Sequence, residues 1–283
     1  MSGLKFVLIV LVCAVGLWLA IELVLTAASF VLACVMGREQ REEIARGRLN
    51  PARAMGAFLV EFGAASLTHL LVAVMQTFTP RKSRLTLNVR TTPILLVPGY
   101  FCNRGCWIVF SRLLLRLGAS QTYTIDPKRM TADIRDLARQ VGDKVEAILS
   151  ATRASRVNLV GHSMGGLMAR YYIEQLGGAS KVGVCVTLAS PHHGTHLSQI
   201  GLGTNAKQMR PGSEFLTDLD RFEHIGKETK YVSIWSTFDN MVVPPTSSIL
   251  GGNAKNITLH YMGHLTTLYS PNVARLVWEN LTQ

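Results

Sequence analysis

The chain has 283 residues, with 29 basic against 18 acidic side chains and a formal charge of +11, and its mean hydropathy is +0.23. This length suits one large α/β domain or two small ones, and the hydropathy is high for a purely soluble enzyme. Basic and aromatic residues are not interleaved and no nucleic-acid reader module is recognisable, so the charge does not indicate a nucleic-acid partner.

The first predicted element is an apolar stretch over residues 6–36, interrupted only by Glu22 and a few small polar residues. At ~1.5 Å per residue, a helix of this length exceeds what the ~30 Å hydrocarbon core of a bilayer requires. A cleaved signal peptide is the competing interpretation, but its apolar core would span only ~7 to 15 residues. We therefore expect residues 1–36 to be a retained membrane anchor.

A basic segment and a second apolar stretch follow, within residues 37–84. The basic side chains are Arg38, Arg41, Arg46, Arg48 and Arg53. They suit an anionic lipid surface and would hold this side in the cytoplasm, so we expect a membrane location such as a bacterial inner membrane. The apolar stretch 54–78, interrupted by Glu61 and His69, could be a second span, an interfacial helix or a helix packed on the next domain. We favour the last two.

Residues 85–283 are expected to form the third unit, after a polar break at 79–84. Short apolar runs alternate there with helical patterns, which is typical of a parallel sheet with helical crossovers. The predicted strands are 93–97, 121–125, 157–160, 182–188, 231–235 and 257–261, and the predicted helices are 107–117, 131–152, 167–176 and 271–281. Between 195 and 230 the pattern loosens into an insertion, which could cap an active site or be a structural excursion with no gating role.

A Gly-His-Ser-Met-Gly-Gly motif at residues 161–166 stands where the apolar run 157–160 gives way to a helical pattern. A strand that turns sharply into a helix strains the residue at the tip, so small neighbours must flank it. The three glycines of the motif supply that room. The motif therefore predicts Ser163 as a nucleophile.

A serine hydroxyl is a poor nucleophile at neutral pH, so a histidine must take its proton and an acidic group must orient the imidazole. For this type of turn the expected chain order is serine, acid, histidine. Asp239 follows the strand 231–235, and His264 follows the strand 257–261. We predict these two as acid and base, because they fall at the same sheet edge as Ser163.

Other acidic and histidine residues are less well placed for these roles. Asp218 and Asp220 lie in the irregular insertion, at no strand end. His260 is expected inside the last strand, where a histidine is more often a packed or solvent-facing side chain. His162 lies on the serine turn itself, and its ring is expected to point away from the hydroxyl.

Metal binding is not indicated by the remaining candidates. His192, His193 and His196 resemble a metal cluster, but no carboxylate or cysteine stands at ligand spacing. Cys102 and Cys106 could pair in an exported protein, although ordinary small residues near a helix start are the plainer interpretation.

Two backbone amides are predicted to bind the oxyanion of a tetrahedral intermediate. One belongs to Met164, the residue after the nucleophile, and the other to Tyr100, in the loop after the first strand of the sheet. Pro98 cannot donate, but it lies two positions before Tyr100 and leaves that amide available.

Together these residues resemble the α/β-hydrolase lipases and esterases, among them the bacterial triacylglycerol lipases. The resemblance runs from about Thr92 to the C-terminus. It rests on five segments in the expected order, at residues 95–100, 160–166, 190–195, 239 and 263–265. It implies the α/β-hydrolase fold, a mostly parallel sheet with helices on both faces, here preceded by a transmembrane or membrane-associated helical segment.

The resemblance also implies roles and departures. Ser163, Asp239 and His264 would form the triad, and the segment 190–195 would be a wall of the substrate pocket. Pro98 stands where the family often has histidine. The paired aspartates that hold a structural calcium in some of these lipases cannot be assigned here, so we expect no metal and no cofactor.

The function these expectations favour is a serine carboxylic-ester hydrolase that acts on lipid or other apolar esters through an acyl-enzyme. An acyltransferase would use the same triad with an alcohol or thiol in place of water. A non-catalytic membrane protein that retains the scaffold for binding is a further alternative, although all three triad members are present. One or two spans are too few for an alternating-access transporter.

Overall fold

The computed structural model describes residues 3–37, 50–78, 91–221 and 228–283. Its centre is a six-stranded sheet in the order β2-β1-β3-β4-β5-β6, in which every neighbouring pair is parallel. The strands are β1 (Ile94–Val97), β2 (Thr122–Thr124), β3 (Val157–His162), β4 (Val182–Leu188), β5 (Lys230–Ser236) and β6 (Lys255–Leu259). The predicted α/β class is confirmed, and all six carboxyl ends meet at one edge of the sheet.

Four helices cover the two faces of the sheet: α3 (Ile108–Arg116), α4 (Ile134–Thr152), α5 (Met164–Gln175) and α8 (Pro271–Thr282). Successive side chains of a strand point to opposite faces. In β1, Leu95 and Val97 accordingly pack with α4 and α5, while Ile94 and Leu96 pack with α3 and α8. The short apolar runs of the sequence are therefore strands buried on both faces.

In helix α4, the spacing of apolar residues determines the buried side, and a capping residue determines where the helix begins. Its apolar residues at three- and four-residue steps are all fully buried, namely Ile134, Leu137, Val141, Val145 and Ile148. The helix begins three residues later than predicted, because the side chain of Asp133 accepts a hydrogen bond of 2.7 Å from the amide of Arg135 and caps the first turn.

Helices α1 (Gly3–Met36) and α2 (Pro51–Phe78) precede the sheet. Both are long and apolar enough to cross a membrane by length and composition. They also pack on each other and on the sheet domain, since the ring of Phe30 lies 5.7 Å from that of Phe58 and 5.1 Å from that of Phe238. The second apolar stretch thus forms a helix that contacts α1, and its length and composition also suit a membrane span.

Two features predicted from the sequence lie partly or wholly outside the described residues. They are the basic segment, at Arg38, Arg41, Arg46 and Arg48, and the polar break at 79–84. The fifth arginine of the basic segment, Arg53, lies over the ring of Tyr261 at 5.8 Å.

The insertion between β4 and β5 contains two short helices, α6 (Gly203–Gln208) and α7 (Glu214–Arg221). Helix α7 buries Phe215, Leu216 and Leu219 against the face of the sheet that carries α4 and α5. Residues 222–227 lie outside the described part of the chain. The described part of the insertion is a packed layer at the edge of the sheet where the strands end.

Candidate active site

Ser163 lies at the tip of the turn between β3 and α5. Its backbone angles are φ 55° and ψ −128°, a conformation that few residues other than glycine adopt and that costs ~1–3 kcal/mol. The amide of Ser163 donates to the carbonyl of Leu188 at 2.8 Å, which fixes the turn to the neighbouring strand. The backbone strain that the sequence predicts at Ser163 is present.

The three glycines around Ser163 are required by close approaches, to backbone atoms at Gly161 and Gly165 and to a side chain at Gly166. A Cβ atom at Gly161 would lie 2.6 Å from the amide nitrogen of Gly166, and one at Gly165 would lie 2.2 Å from the carbonyl oxygen of Val97. One at Gly166 would lie 2.1 Å from Ser190 Oγ. Any larger side chain would push helix α5 away from the sheet and displace the serine.

Asp239 and His264, which follow β5 and β6, are joined by their side chains. Nδ1 of His264 lies 3.0 Å and 3.1 Å from the two carboxylate oxygens, and the two residues are 5% and 3% exposed. Asp239 Oδ1 also accepts from the amides of Met241 and Val242, both at 2.8 Å. The carboxylate is thus fixed in place, and it holds Nδ1 of the His264 ring.

The environment of the His264 ring raises its pKa. Burial disfavours the charged imidazole, but the charge and hydrogen bond of Asp239 outweigh it, with smaller contributions from Glu61 and Cys102. The neighbouring ring of His162 behaves in the opposite way. Burial and the proximity of His264 hold the pKa of His162 well below its usual range, so this ring is neutral.

Ser163 and His264 line the same cavity, which has a volume of about 430 Å³. Among the described residues, no hydrogen bond joins Ser163 Oγ to the histidine ring. Such bonds are often long before substrate binds and tighten in the reacting complex. Most of the cavity lining is apolar, which fits an apolar ligand.

The two predicted oxyanion donors belong to segments that meet at Ser163. The amide of Met164 is the first of helix α5 and has no acceptor within the helix. Tyr100 lines the cavity, and its loop lies against the serine turn, where a Cβ atom on Gly99 would be 2.9 Å from that of Ser163. The Tyr100 hydroxyl donates to the carbonyl of Leu202 at 2.6 Å, which ties this loop to the insertion.

One residue at the site was missed from the sequence. Glu61 of α2 is 1% exposed, and its carboxylate accepts from the amides of Leu265 and Thr266 at 2.8 Å and from Thr266 Oγ1 at 2.7 Å. A Cβ atom at Gly263 would lie 2.3 Å from Glu61 Oε2. A lone acidic residue in an apolar helix was the available signal, because such a residue commonly has a specific partner.

A second connection runs from α1 to the loop of His264. Asn240 Oδ1 accepts from the amide of His264 at 3.0 Å, and Asn240 Nδ2 donates to Ser29 Oγ at 2.7 Å. The hydroxyl of Ser29 donates in turn to the carbonyl of Thr26 at 2.7 Å. Neither Asn240 nor Ser29 carries a sequence signal for this role.

Helices α1 and α2 also form one wall of the cavity. Leu25, Ala28, Ser29 and Leu32 line it from α1 and Ala65 from α2. The spacing of three and four residues places the α1 residues on one side of the helix. Glu22 and His69 lie in the same wall and pair with each other at 2.8 Å.

The alternatives to the predicted acid and base lie elsewhere. Strand β6 ends at Leu259, so the expectation that His260 lies within the strand is wrong; the residue follows it, exposed, with Nδ1 3.3 Å from Thr237 Oγ1. Asp220 pairs with Arg170 at 3.1 Å. Asp218 lies 3.5 Å from Arg135.

Two of the three histidines considered for metal binding, His192 and His193, have other partners. Nε2 of His192 is 3.0 Å from Thr187 Oγ1, and Nε2 of His193 is 3.0 Å from the carbonyl of Ile249. In the described ranges, no group of three or more histidine, cysteine, aspartate or glutamate residues is arranged to hold a metal ion. Cys102 and Cys106 are both buried and both free thiols.

Comparison with known proteins agrees with this architecture. The model of the alpha/beta hydrolase family matches residues 94–268. Lipase B of Aspergillus fumigatus superposes with a TM-score of 0.62 at 18% identity, over 72% of this chain and 60% of that protein, so this chain spans about three fifths of its length.

Two further solved structures are similar. The mature lipase BlEst2 of Bacillus licheniformis has a TM-score of 0.60 at 17% identity, over 71% of this chain and 96% of that one. An esterase of Pyrobaculum calidifontis has a TM-score of 0.52 at 13% identity, over 83% and 97%. At such identities these likenesses concern the fold, and the family match extends over more than half of the sequence. The chain belongs to the alpha/beta hydrolase family.

Proposed function

We propose that this protein is a membrane-associated serine hydrolase of apolar carboxylic esters, with Ser163 as nucleophile, His264 as base and Asp239 as the acid that orients it. The observation that carries the proposal is the buried Asp239–His264 pair, 3.0 Å apart, at the cavity that also contains the strained Ser163. A histidine held by a carboxylate, at a cavity that a half-buried serine also lines, is the arrangement that acyl transfer requires.

In the proposed reaction, Nε2 of His264 takes the proton of Ser163 Oγ as that oxygen attacks the ester carbonyl carbon. The amides of Met164 and Tyr100 donate to the oxyanion. The imidazolium, stabilised by Asp239, then gives its proton to the departing alcohol, and the acyl group stays on Ser163. Water, deprotonated by the same imidazole, attacks the acyl-enzyme; the bond from the acyl carbon to Ser163 Oγ then breaks, the imidazolium returns its proton to that oxygen, and the carboxylic acid leaves.

The substrate class follows from the cavity and its surroundings. Its lining is largely apolar, and one wall consists of helices that are long and apolar enough to lie in a bilayer. Burial of methylene groups in such a site contributes ~0.8 kcal/mol each. Esters with a long apolar chain, including lipids, are therefore the proposed substrates.

The test is hydrolysis of p-nitrophenyl esters of graded chain length by the full chain in detergent. We expect Ser163→Ala to lower kcat by ~10⁴-fold or more, because the other triad members do not compensate for a lost nucleophile. Ser150→Ala is the matched control, since Ser150 is exposed on α4. A fluorophosphonate should label Ser163 covalently, as shown by the mass of the modified peptide.

Two results would contradict the proposal. The first is that Ser163→Ala hydrolyses the p-nitrophenyl esters as fast as the wild type does. The other is a fluorophosphonate label that persists in this variant. Adding a primary alcohol as acceptor and analysing the products distinguishes hydrolysis from acyl transfer.

A further inference from the structure

We infer that helices α1 and α2 position the catalytic base, with Glu61 and Ser29 as positioning residues for the loop that carries His264. The inference rests on the proposed role of His264 in ester hydrolysis. It assigns to the N-terminal helices a part in the reaction beyond attachment to a membrane, and it concerns residues that lie outside the matched range 94–268.

The contact from α2 is a carboxylate that binds the backbone directly after the histidine. Glu61 accepts hydrogen bonds from two consecutive amides, those of Leu265 and Thr266, and from the Thr266 hydroxyl. Amides can only donate, so this set of partners suits an ionised carboxylate. Gly263, on the other side of the histidine, leaves the space that the carboxylate fills. Glu61 is thus hydrogen-bonded to the residues after His264 and in close contact with the residue before it.

The contact from α1 reaches the histidine itself. Asn240 joins the amide of His264 to the hydroxyl of Ser29, with distances of 3.0 Å and 2.7 Å. Asn240 directly follows the acid Asp239, so Ser29 supports the loop of the acid and the loop of the base at once. Three amides in succession, at residues 264–266, therefore have acceptors that depend on the N-terminal helices.

Packing alone does not explain an acidic residue at position 61. Taking a carboxylate out of water costs free energy that an apolar side chain of similar size would not. Glu61 is 1% exposed and is the one acidic residue of a mostly apolar helix. Unlike leucine or methionine, glutamate at this position can accept hydrogen bonds from the amides of Leu265 and Thr266, in the loop that carries His264.

The charge of Glu61 also acts on the base electrostatically. The groups that face His264 are the carboxylates of Asp239 and Glu61, the thiol of Cys102 and the neutral ring of His162. The Glu61 charge favours the protonated imidazole and so contributes to the raised pKa of His264. Removing this charge while keeping the side-chain shape should lower the pKa.

The experiment compares Glu61→Gln, Glu61→Asp and Ser29→Ala with the wild type, each as the full chain in detergent. We expect Glu61→Gln to lower kcat by about ten-fold while KM stays within about two-fold, because the loss concerns the position of the base and not binding. The acid limb of the pH profile of kcat/KM should move to lower pH. Glu61→Asp, which keeps the charge, should recover part of kcat and leave the acid limb near that of the wild type.

Ser29→Ala isolates the α1 contact. It removes the acceptor of Asn240 Nδ2 without changing any charge, so kcat should fall by about three-fold with no movement of the acid limb. Glu279→Gln, an exposed position on α8, is the control for a change of charge alone. Thermal melting of each variant separates loss of positioning from loss of the fold, and Ser29→Ala and Glu61→Asp serve as the test if Glu61→Gln does not fold.

The inference is overturned if Glu61→Gln folds and retains the kcat and the acid limb of the wild type. It is equally overturned if the variants that fold lose activity only through a higher KM. In either case Ser163→Ala would still be inactive, which leaves the proposed function intact. Activity of Ser163→Ala would instead reject the proposed function itself.

Discussion

At the scale of single residues, the site depends on side chains that are fixed before any substrate arrives. Asp239 has its carboxylate held by two backbone amides and by His264. Ser163 is held in a strained backbone conformation by glycine neighbours. Catalysis by such a site requires little rearrangement when substrate binds, because the groups that respond to charge are already oriented.

The role of Asp239 can be tested by changing its charge with little change of shape. We expect Asp239→Asn to lower kcat by ~10⁴-fold, because the amide would favour the wrong tautomer of His264. The matched control is His260→Ala, since His260 is exposed beyond the end of β6 and should be dispensable for turnover. Steady-state kinetics on one p-nitrophenyl ester suffices, and a reversal between His260 and His264 in an alanine series would refute the assignment of the base.

The pH dependence of the reaction follows from the raised pKa of His264. The base must be neutral to accept the serine proton, so activity is lost as the pH falls through the raised pKa of the ring. We expect the acid limb of kcat/KM to lie above the ordinary value of ~6.5 for histidine. An acid limb below this value would show that the Asp239 carboxylate does not dominate the environment of the base.

The raised pKa of His264 also affects folding stability, and this contribution is greater at low pH, whereas activity is lost at low pH. A group with a raised pKa in the folded state stabilises that state below the pKa of the unfolded chain, and the contribution is lost as the pH rises through the folded value. The charged ring of His264 thus adds to stability under mildly acidic conditions, in which the enzyme is inactive.

At the scale of elements, the sequence predicted the buried strands and the order of strands and helices. It also predicted that Ser163, Asp239 and His264 lie at the same edge of the sheet. In a parallel sheet the carboxyl ends of all strands meet at one edge, which makes strand ends predictive. The end of β6 was misplaced. Its last pair joins Leu259 to Ser236, the final residue of β5, so β6 has no partner strand beyond that point.

The N-terminal contacts could not be predicted in the same way. Glu61 and Leu265 are separated by 204 positions in the sequence, and Ser29 and Asn240 are separated by 211. Periodicity reports only which side of a helix is apolar. It carries no information on which loop a single carboxylate or hydroxyl will bind.

The wall formed by α1 can be tested through chain length. Ala28 lines the cavity, so Ala28→Phe should fill part of it and lower kcat/KM for long-chain esters by about ten-fold or more, with little change for acetate or butyrate esters. Val31→Phe is the control, because Val31 is 60% exposed and does not line the cavity. An unchanged chain-length profile in Ala28→Phe would show that substrate does not contact α1.

At the scale of the whole molecule, the chain combines a sheet of the alpha/beta hydrolase family with two helices of a length and composition suited to a bilayer. The exposed side of α1 is apolar, with Leu17, Val24 and Val35 each more than 60% exposed. A continuous apolar surface of this kind marks contact with lipid or with another apolar surface.

Membrane attachment can be measured by fractionation. We expect the protein to sediment with membranes, to remain there after an alkaline carbonate wash and to be released by detergent, because the apolar face of α1 would be costly to expose to water. Release by the alkaline wash would argue against a spanning helix. Recovery in the soluble fraction without any treatment would refute membrane association altogether.

The cavity wall built from α1 has a kinetic consequence. If the ester reaches Ser163 from a lipid phase, the rate depends on the surface concentration of the ester in that phase. It does not depend on the bulk concentration of the ester in water. Spreading a fixed quantity of ester over more inert amphiphile would then slow turnover, as in reactions confined to two dimensions. The composition of the surrounding leaflet would control this enzyme as effectively as any soluble inhibitor.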